Sequence, residues 1–402
     1  MKTPRSSPAV ALITGGRDKH YASELSRALD ASGVVADIVC NADMDTQELR
    51  ACSNLRLLPL YNVPWPRNPF RRLMNCIRVY ARLIRYITSS KAPILHILWP
   101  YKLPILDSTV LLLYYKLLGK RVIFTAHNVN GAEKDGKDSW RNRWTLRFQY
   151  NLLDHIFVHT DQMKHQLQNG FGVSEERVTV IPYGVYSMVP NSSLTPAEAK
   201  QKLGLQPDHR TILFFGRIVP YKGVNYLIEA FRSIAVMDPS YRLLIAGDKE
   251  TEEHWREIQQ VIDDNSLHER VIQHTRHIED NDIELYFKAS DVLVLPYIRI
   301  CQSGVLFMSY SFGLPVIATD IGSFRHDVIP SKTGFLCPPH DPVALSRALE
   351  TFFSSDLFAE RDRRRTDIQN IIRASNSWSI AGAKTAEVYA ALSGCGQLQP
   401  SA

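Results

Sequence analysis

The chain predicts an α/β fold built from two successive parallel sheets, each covered on both faces by helices, and three observations carry that prediction. Short apolar runs alternate with longer segments of helical period from end to end. A polar stretch at 187–207, punctuated by Pro190, Pro196 and Pro207, divides the alternation into two sets. In the second set, two strand ends run into turns of glycine, serine and cations, a composition suited to an anion at a helix N-terminus.

Taken in order, the first set places strands at 10–14, 36–40, 94–98, 122–126, 155–159 and 178–181, separated by helical segments. The second places them at 211–215, 242–246, 271–274, 291–295, 315–319 and 334–336, and a last helix covers 377–392. Within the 187–207 connector, AEAKQKL forms a short helix. Two domains of ordinary size account for 402 residues, and 45% hydrophobic with 22% charged residues suits a globular protein with a large core. The expected division is 1–188, 189–375 and a closing segment 376–402, whose last ten residues fray.

The stretch ILFFGRIVPYKGVNYLIEAF at 212–231 is the most informative. An apolar run stops at Gly216, Arg217 and Lys222 follow across a Pro- and Gly-containing turn, and an amphipathic helix begins near Val224. Arginine offers a fork of donors and lysine a mobile point charge, which together suit a doubly charged phosphate. Downstream, the 291–296 strand is followed by Gln302-Ser303-Gly304 and a helix over 305–312 capped by Gly313. The first-turn amides, with the Ser303 hydroxyl and Val305, make a second anion nest. Two nests in strand–helix units of one sheet suggest a diphosphate held between them.

These residues carry a resemblance. FFGRIVPYKGVNYLIEAF, FGLPVIATDIG and TGFLCPPHDPVALSRAL, with ALITGGRDKHYASELSRALDASG, VIFTAHNVNG and VTVIPYGV earlier, resemble glycosyltransferase family 4, the retaining glycosyl transferases group 1. That resemblance implies the GT-B fold: two doubly wound Rossmann-like domains facing a central cleft, with the last helix packed back on the first. It implies a hexosyl transfer from a nucleotide-diphosphate sugar to a glycan or lipid-linked acceptor, in surface polysaccharide assembly. Arg217 and Lys222 would hold the diphosphate, joined by Gly216, Gln302, Ser303, Gly304 and Val305. His127 matches the family's sugar-contacting histidine and joins Arg217 and Lys222 in the catalytic set. Asn128 is its weaker neighbour, and Tyr21 is placed on the acceptor side. Gly15 and Gly16, ending the first strand, are read as donor-binding, with a plain tight turn as the competing reading.

One departure stands out. The family's two glutamates would fall at Ile300 and Met308, where a thioether accepts hydrogen bonds poorly. Gln302 and Ser303 are expected to take over the sugar contacts. The same departure keeps a catalytically inactive binding subunit as the alternative, beside a same-fold nucleotide-sugar epimerase or phosphorolytic enzyme.

Asp43-Met44-Asp45 imitates a metal-binding acidic triplet but reads as a capped, solvated loop, so neither a metal nor another cofactor is expected. The six cysteines have no CxxC or metal spacing, which points to reduced thiols in the cytoplasm. No leader peptide or spanning run is read in the chain.

A net charge of +6 divides into a basic first half and a mildly acidic second half. The richest basic segment is 67–87, where Arg71, Arg78, Arg82 and Arg85 alternate with Phe70, Leu73, Ile77, Leu83, Ile84 and Ile87. It fits a helix on an anionic membrane surface and equally an internal helix with a solvated basic face. No RNA-binding module accompanies it, so no nucleic-acid partner is expected.

Overall fold

A computed structural model describes residues 9–62, 68–134, 136 and 138–394. Arg67, Cys395 and most of the tail expected to fray lie outside the described residues. The chain divides into two compact units, residues 1–183 with 377–402 and residues 184–376.

The first unit holds a seven-stranded sheet in the order β3-β2-β1-β4-β5-β6-β7. Its strands are β1 Val10–Ile13, β2 Ala36–Val39, β3 Leu55–Leu58, β4 Ile94–Ile97, β5 Arg121–Thr125, β6 His155–Val158 and β7 Val178–Val180. Every pairing is parallel. Strands such as VALI in β1 are buried along their whole length, as expected where helices cover both faces. β3 was not expected: its LRLL is only partly buried, as befits an edge strand, and so carries little periodic signal.

The helix Trp378–Ser393 packs against the helix Lys19–Ala31. The approach is close enough that a Cβ at Gly382 would lie 2.7 Å from Ala28. Tyr389 anchors this helix, its hydroxyl 2.5 Å from Nδ1 of buried His96.

The second unit has a six-stranded parallel sheet ordered β10-β9-β8-β11-β12-β13. Its strands are β8 Arg210–Phe215, β9 Tyr241–Ala246, β10 Val271–His274, β11 Val292–Leu295, β12 Val316–Thr319 and β13 Gly334–Cys337. In both sheets the order reverses beside the first strand of the set, between β1 and β4 and between β8 and β11. Connections leave in opposite directions there, which opens a crevice at the strands' carboxyl ends.

The 187–207 stretch is not a loose linker. A capping box at Thr195 and Glu198 starts the helix Pro196–Lys202, and Ala199 and Leu205 pack with Ala289. Lys200 is buried and reaches Asp291 at 3.3 Å and the His209 carbonyl at 2.6 Å. The same Asp291 carboxylate accepts from Thr211 N at 2.8 Å. Removing one partner of a buried pair leaves the other charge poorly compensated. Lys200→Met is therefore expected to destabilise the second unit by about 3 kcal/mol, near the lower end for a broken buried pair. Urea unfolding would measure it; a loss within the scatter of neutral surface changes would show that this segment is not an integral part of the unit.

Candidate functional site

The candidate residues gather at the two crevices, one in each unit. In the second unit, β8 ends at Phe215 and runs through Gly216 into a short turn, Pro220–Lys222, before the helix Val224–Met237. Gly223 has φ +65°, and a Cβ there would meet the Pro296 carbonyl oxygen at 2.1 Å. Only glycine lets this turn press against the end of β11. Ile298 N donates to Tyr221 O at 2.7 Å and closes the same contact.

That approach sets the position of Lys222, which is 8% exposed. A Cβ at Gly216 would lie 2.9 Å from Lys222 Nζ and 3.5 Å from Val305 Cγ2. Gly216, the ammonium and the first turn of the helix Gly304–Ser311 therefore border one small volume. Ser303 occupies the N-cap of that helix but its side chain makes no cap hydrogen bond. The positive end of the helix and a buried lysine thus converge beside the β8/β11 switch point. Gln302, one residue earlier, has an amide oxygen shielded from solvent with no hydrogen-bond partner among the described residues.

Arg217 is placed differently. Its side chain is 62% exposed and pairs with Glu250 at 3.3 Å. Backbone bonds from Ile218 N to Asp248 O and from Glu250 N to Ile218 O hold the loops after β8 and β9 together and bring that carboxylate near. Met308 is buried in a helix whose Leu306, Phe307, Ser309 and Tyr310 are buried as well. Ile300 is half-buried, and its carbonyl lies against Gly322.

In the first unit, Gly15 follows β1 with φ +63°, and a Cβ there would lie 2.3 Å from the Trp99 carbonyl oxygen. This glycine is required by the close approach of the β4 end. Gly16 abuts Asn41, whose Nδ2 donates to the Gly16 carbonyl at 3.3 Å. The His127 ring stacks on Trp99 at 4.0 Å with an interplanar angle of 4°. Tyr21 meets it edge-on at 4.6 Å. Tyr21 is fully buried among Trp99, His127, His159 and Trp378, so it forms the wall behind His127 rather than an open acceptor surface.

His127 Nδ1 lies 3.3 Å from His159 Nε2, and His159 Nδ1 lies 3.3 Å from the Ile181 carbonyl oxygen. Burial, reinforced by His159 and His96, holds the His127 pKa well below its ordinary value. Burial likewise lowers His159 to about 4. Both rings are therefore neutral near pH 7. His127 Nε2 and Asn128 Oδ1 are shielded and have no hydrogen-bond partner among the described residues.

Trp99, His159 and Glu250 escaped the sequence reading. The first two share a signal with His127: each stands one or two residues past the carboxyl end of a parallel strand. Glu250 has no comparable signal, because its role depends on a contact between two loops. Among the described residues no cluster of histidine, cysteine, aspartate or glutamate has the arrangement of a metal site. Burial raises Cys40 and Cys337 to about 12, which makes both inert as nucleophiles.

Comparison with known proteins fits this geometry. The Glycosyltransferase Family 4 profile matches residues 19–187, and the Glycosyl transferases group 1 profile matches residues 196–370. The two follow one another along most of the chain, which belongs to the family 4, group 1 glycosyltransferases. D-inositol 3-phosphate glycosyltransferase of Corynebacterium glutamicum is 23% identical over 284 residues, 67% of this chain and 66% of that protein. The chain thus aligns with somewhat less than two thirds of that relative's length.

Sucrose-phosphate synthase from Thermosynechococcus elongatus superposes with a TM-score of 0.77 at 20% identity, over 97% of this chain and all of that one. Anabaena HepE in complex with UDP and glucose superposes with a TM-score of 0.72 at 17% identity, over 95% of this chain and all of that one. The fold is GT-B.

The buried histidines set a pH dependence. A histidine whose folded pKa is depressed binds fewer protons than the unfolded chain, so stability is full above the unfolded value and falls on acidification. His159, with an ordinary value of 6.5 and a folded value of about 4, loses stability across that interval. The expected loss at pH 5 is about 2 kcal/mol from this residue alone. His96, at about 3, and His155, at about 4, act in the same direction. Urea unfolding at pH 7 and pH 5 would test this; equal stabilities at the two pH values would refute it.

Proposed function

We propose that the protein transfers a hexosyl group, with retention, from a nucleotide-diphosphate sugar to a glycan or lipid-linked acceptor, in surface polysaccharide assembly. The observation that carries the reading is the convergence of Lys222, Gly216 and the Gly304–Ser311 helix start at the β8/β11 switch point. A diphosphate placed there meets an ammonium and oriented backbone amides where little water competes. As the sugar–oxygen bond breaks, that charge stabilises the departing diphosphate, whose oxygen takes the acceptor's proton. No paired carboxylates are then needed. Arg217 adds a mobile donor that exchanges Glu250 for phosphate, and Gln302 offers its shielded amide oxygen to a sugar hydroxyl. His127 supplies a further contact to the sugar.

A screen of uridine, guanosine, adenosine and thymidine diphosphate sugars by thermal shift and hydrolysis tests this reading. One nucleotide should stabilise the protein and be turned over slowly. Lys222→Ala should lower turnover by about 10²–10³-fold, the size of losing one preorganised donor, and Arg217→Ala by less, because its charge is exposed. Gln302→Ala with unchanged turnover would remove that residue from the sugar contacts. Silence with every donor would favour the noncatalytic binding subunit.

The same reading places the protein at an anionic membrane surface on its cytoplasmic side. The apolar stripe of the helix Pro69–Ser89 runs its full length, but only its second half, with Cys76, Val79, Tyr80, Leu83 and Ile87, is buried. The first two turns leave Phe70, Leu73 and Ile77 exposed by 69%, 57% and 51%. Exposed Arg71, Arg72 and Arg78 flank them. Residues 49–106 contain ten lysines and arginines and no acid. The Tyr80 hydroxyl accepts from Leu103 N at 3.0 Å, which ties the loop carrying exposed Leu103 and Ile105 to this helix.

Inserted apolar residues flanked by cations suit anionic headgroups. No helix among the described residues is long and apolar enough to cross a membrane. The protein should sediment with vesicles containing phosphatidylglycerol and not with pure phosphatidylcholine. Leu73→Glu with Ile77→Glu should abolish that binding. Equal sedimentation of wild type and variant, or a variant that only dissociates a dimer, would sink the membrane assignment.

A further inference from the structure

We propose that His159 is a positioning residue that locks His127 into the Nδ1–H tautomer, so that His127 Nε2 presents a bare lone pair to a hydroxyl of the bound sugar. A chain of hydrogen bonds sets the protonation, and its first member fixes where the proton sits. The Ile181 carbonyl can only accept, so the proton facing it sits on His159 Nδ1. A neutral ring carries one proton, so His159 Nε2 is bare and can only accept. Its partner at 3.3 Å, His127 Nδ1, must then be the donor. The second neutral ring has spent its proton as well, and its Nε2 is a lone pair. That atom is shielded from solvent and has no hydrogen-bond partner among the described residues.

The surroundings leave this direction undisturbed. The Trp99 ring lies flat against His127 and Tyr21 meets it edge-on, so both neighbours pack against the imidazole and fix its plane. His96, the other titratable ring nearby, is engaged by Tyr389 and by Thr125 at 2.7 Å. Reversal would require either a doubly protonated His159, which burial opposes, or a neutral His159 protonated at Nε2, which would forfeit its hydrogen bond to the Ile181 carbonyl. His127 therefore accepts a hydrogen bond and does not donate one to a phosphate or a developing oxyanion. This selects a hydroxyl as its ligand, and it rests on the donor-binding reading above.

The test uses the full chain labelled with ¹⁵N-histidine, without donor, at pH 7. Long-range ¹H–¹⁵N correlation should show both rings protonated at Nδ1, with His127 Nε2 unprotonated. A proton on His127 Nε2 in the wild type would overturn the proposal. In His159→Phe the His127 ring should lose its fixed tautomer and the donor KM should rise about fivefold, the worth of one neutral hydrogen bond. In His159→Gln, whose amide oxygen still accepts, both tautomer and KM should stay near wild type. A folded His159→Phe with an unchanged His127 spectrum would also overturn it. Where that variant fails to fold, the wild-type spectrum and His159→Gln decide. A wrong tautomer with intact donor turnover refutes this inference alone, while a correct tautomer with no donor response refutes the proposed function.

Discussion

Backbone approaches backbone at the switch point of each sheet, and the candidate residues take their positions from that contact. Parallel strands deliver their carboxyl ends to one edge, and the reversal in strand order leaves adjacent connections diverging there. In the first unit Gly15 lies where any side chain would strike the Trp99 carbonyl, and Trp99 in turn is the plate on which His127 stacks. In the second, Gly223 lies where any side chain would strike the Pro296 carbonyl, and the turn it closes carries Lys222. A methyl group at either glycine would move a polar group of the site without touching it.

The two edges are chemically unlike. The second unit gathers positive charge from a buried lysine and a helix N-terminus, and supports it with aromatic rings: Tyr297 lies 5.3 Å from Lys222 Nζ. The first unit gathers neutral imidazoles, Trp and Tyr, and its burial suppresses charge. The former environment favours an anion and the latter a neutral ligand.

Much of this was legible in the sequence, and the reason is local. The β8 turn announces itself because an apolar run, a glycine, two cations and a helix start fall within one short window. The alternation of strands and helices is legible for the same reason, since burial on both faces makes each strand a continuous apolar run. What was not legible depends on contacts between distant segments. His159 looks like the end of a strand until its ring is seen 3.3 Å from His127, and Glu250 looks like a solvated loop acid until it meets Arg217. The 187–207 stretch has a linker's composition, yet Lys200 is buried there because its partner, Asp291, arrives from 91 residues away. Proline and polarity describe a segment's own preferences and say nothing of what packs onto it.

The missing glutamates are best understood through the burial of the helix that would carry one of them. Every residue from Leu306 to Tyr310 is buried, so a carboxylate at position 308 would be a charge enclosed by its own unit unless a ligand paired with it. Methionine removes that cost and fills the space with an adaptable side chain. The acceptor capacity then has to come from outside the helix. Gln302 lies two residues before Gly304, in the turn that leads into this helix, and its shielded oxygen carries no formal charge. An amide tolerates burial without a ligand better than a carboxylate does, and it still accepts from a hydroxyl when one arrives. On the proposed reading, the chain has exchanged a charged contact that requires its substrate for a neutral one that merely welcomes it.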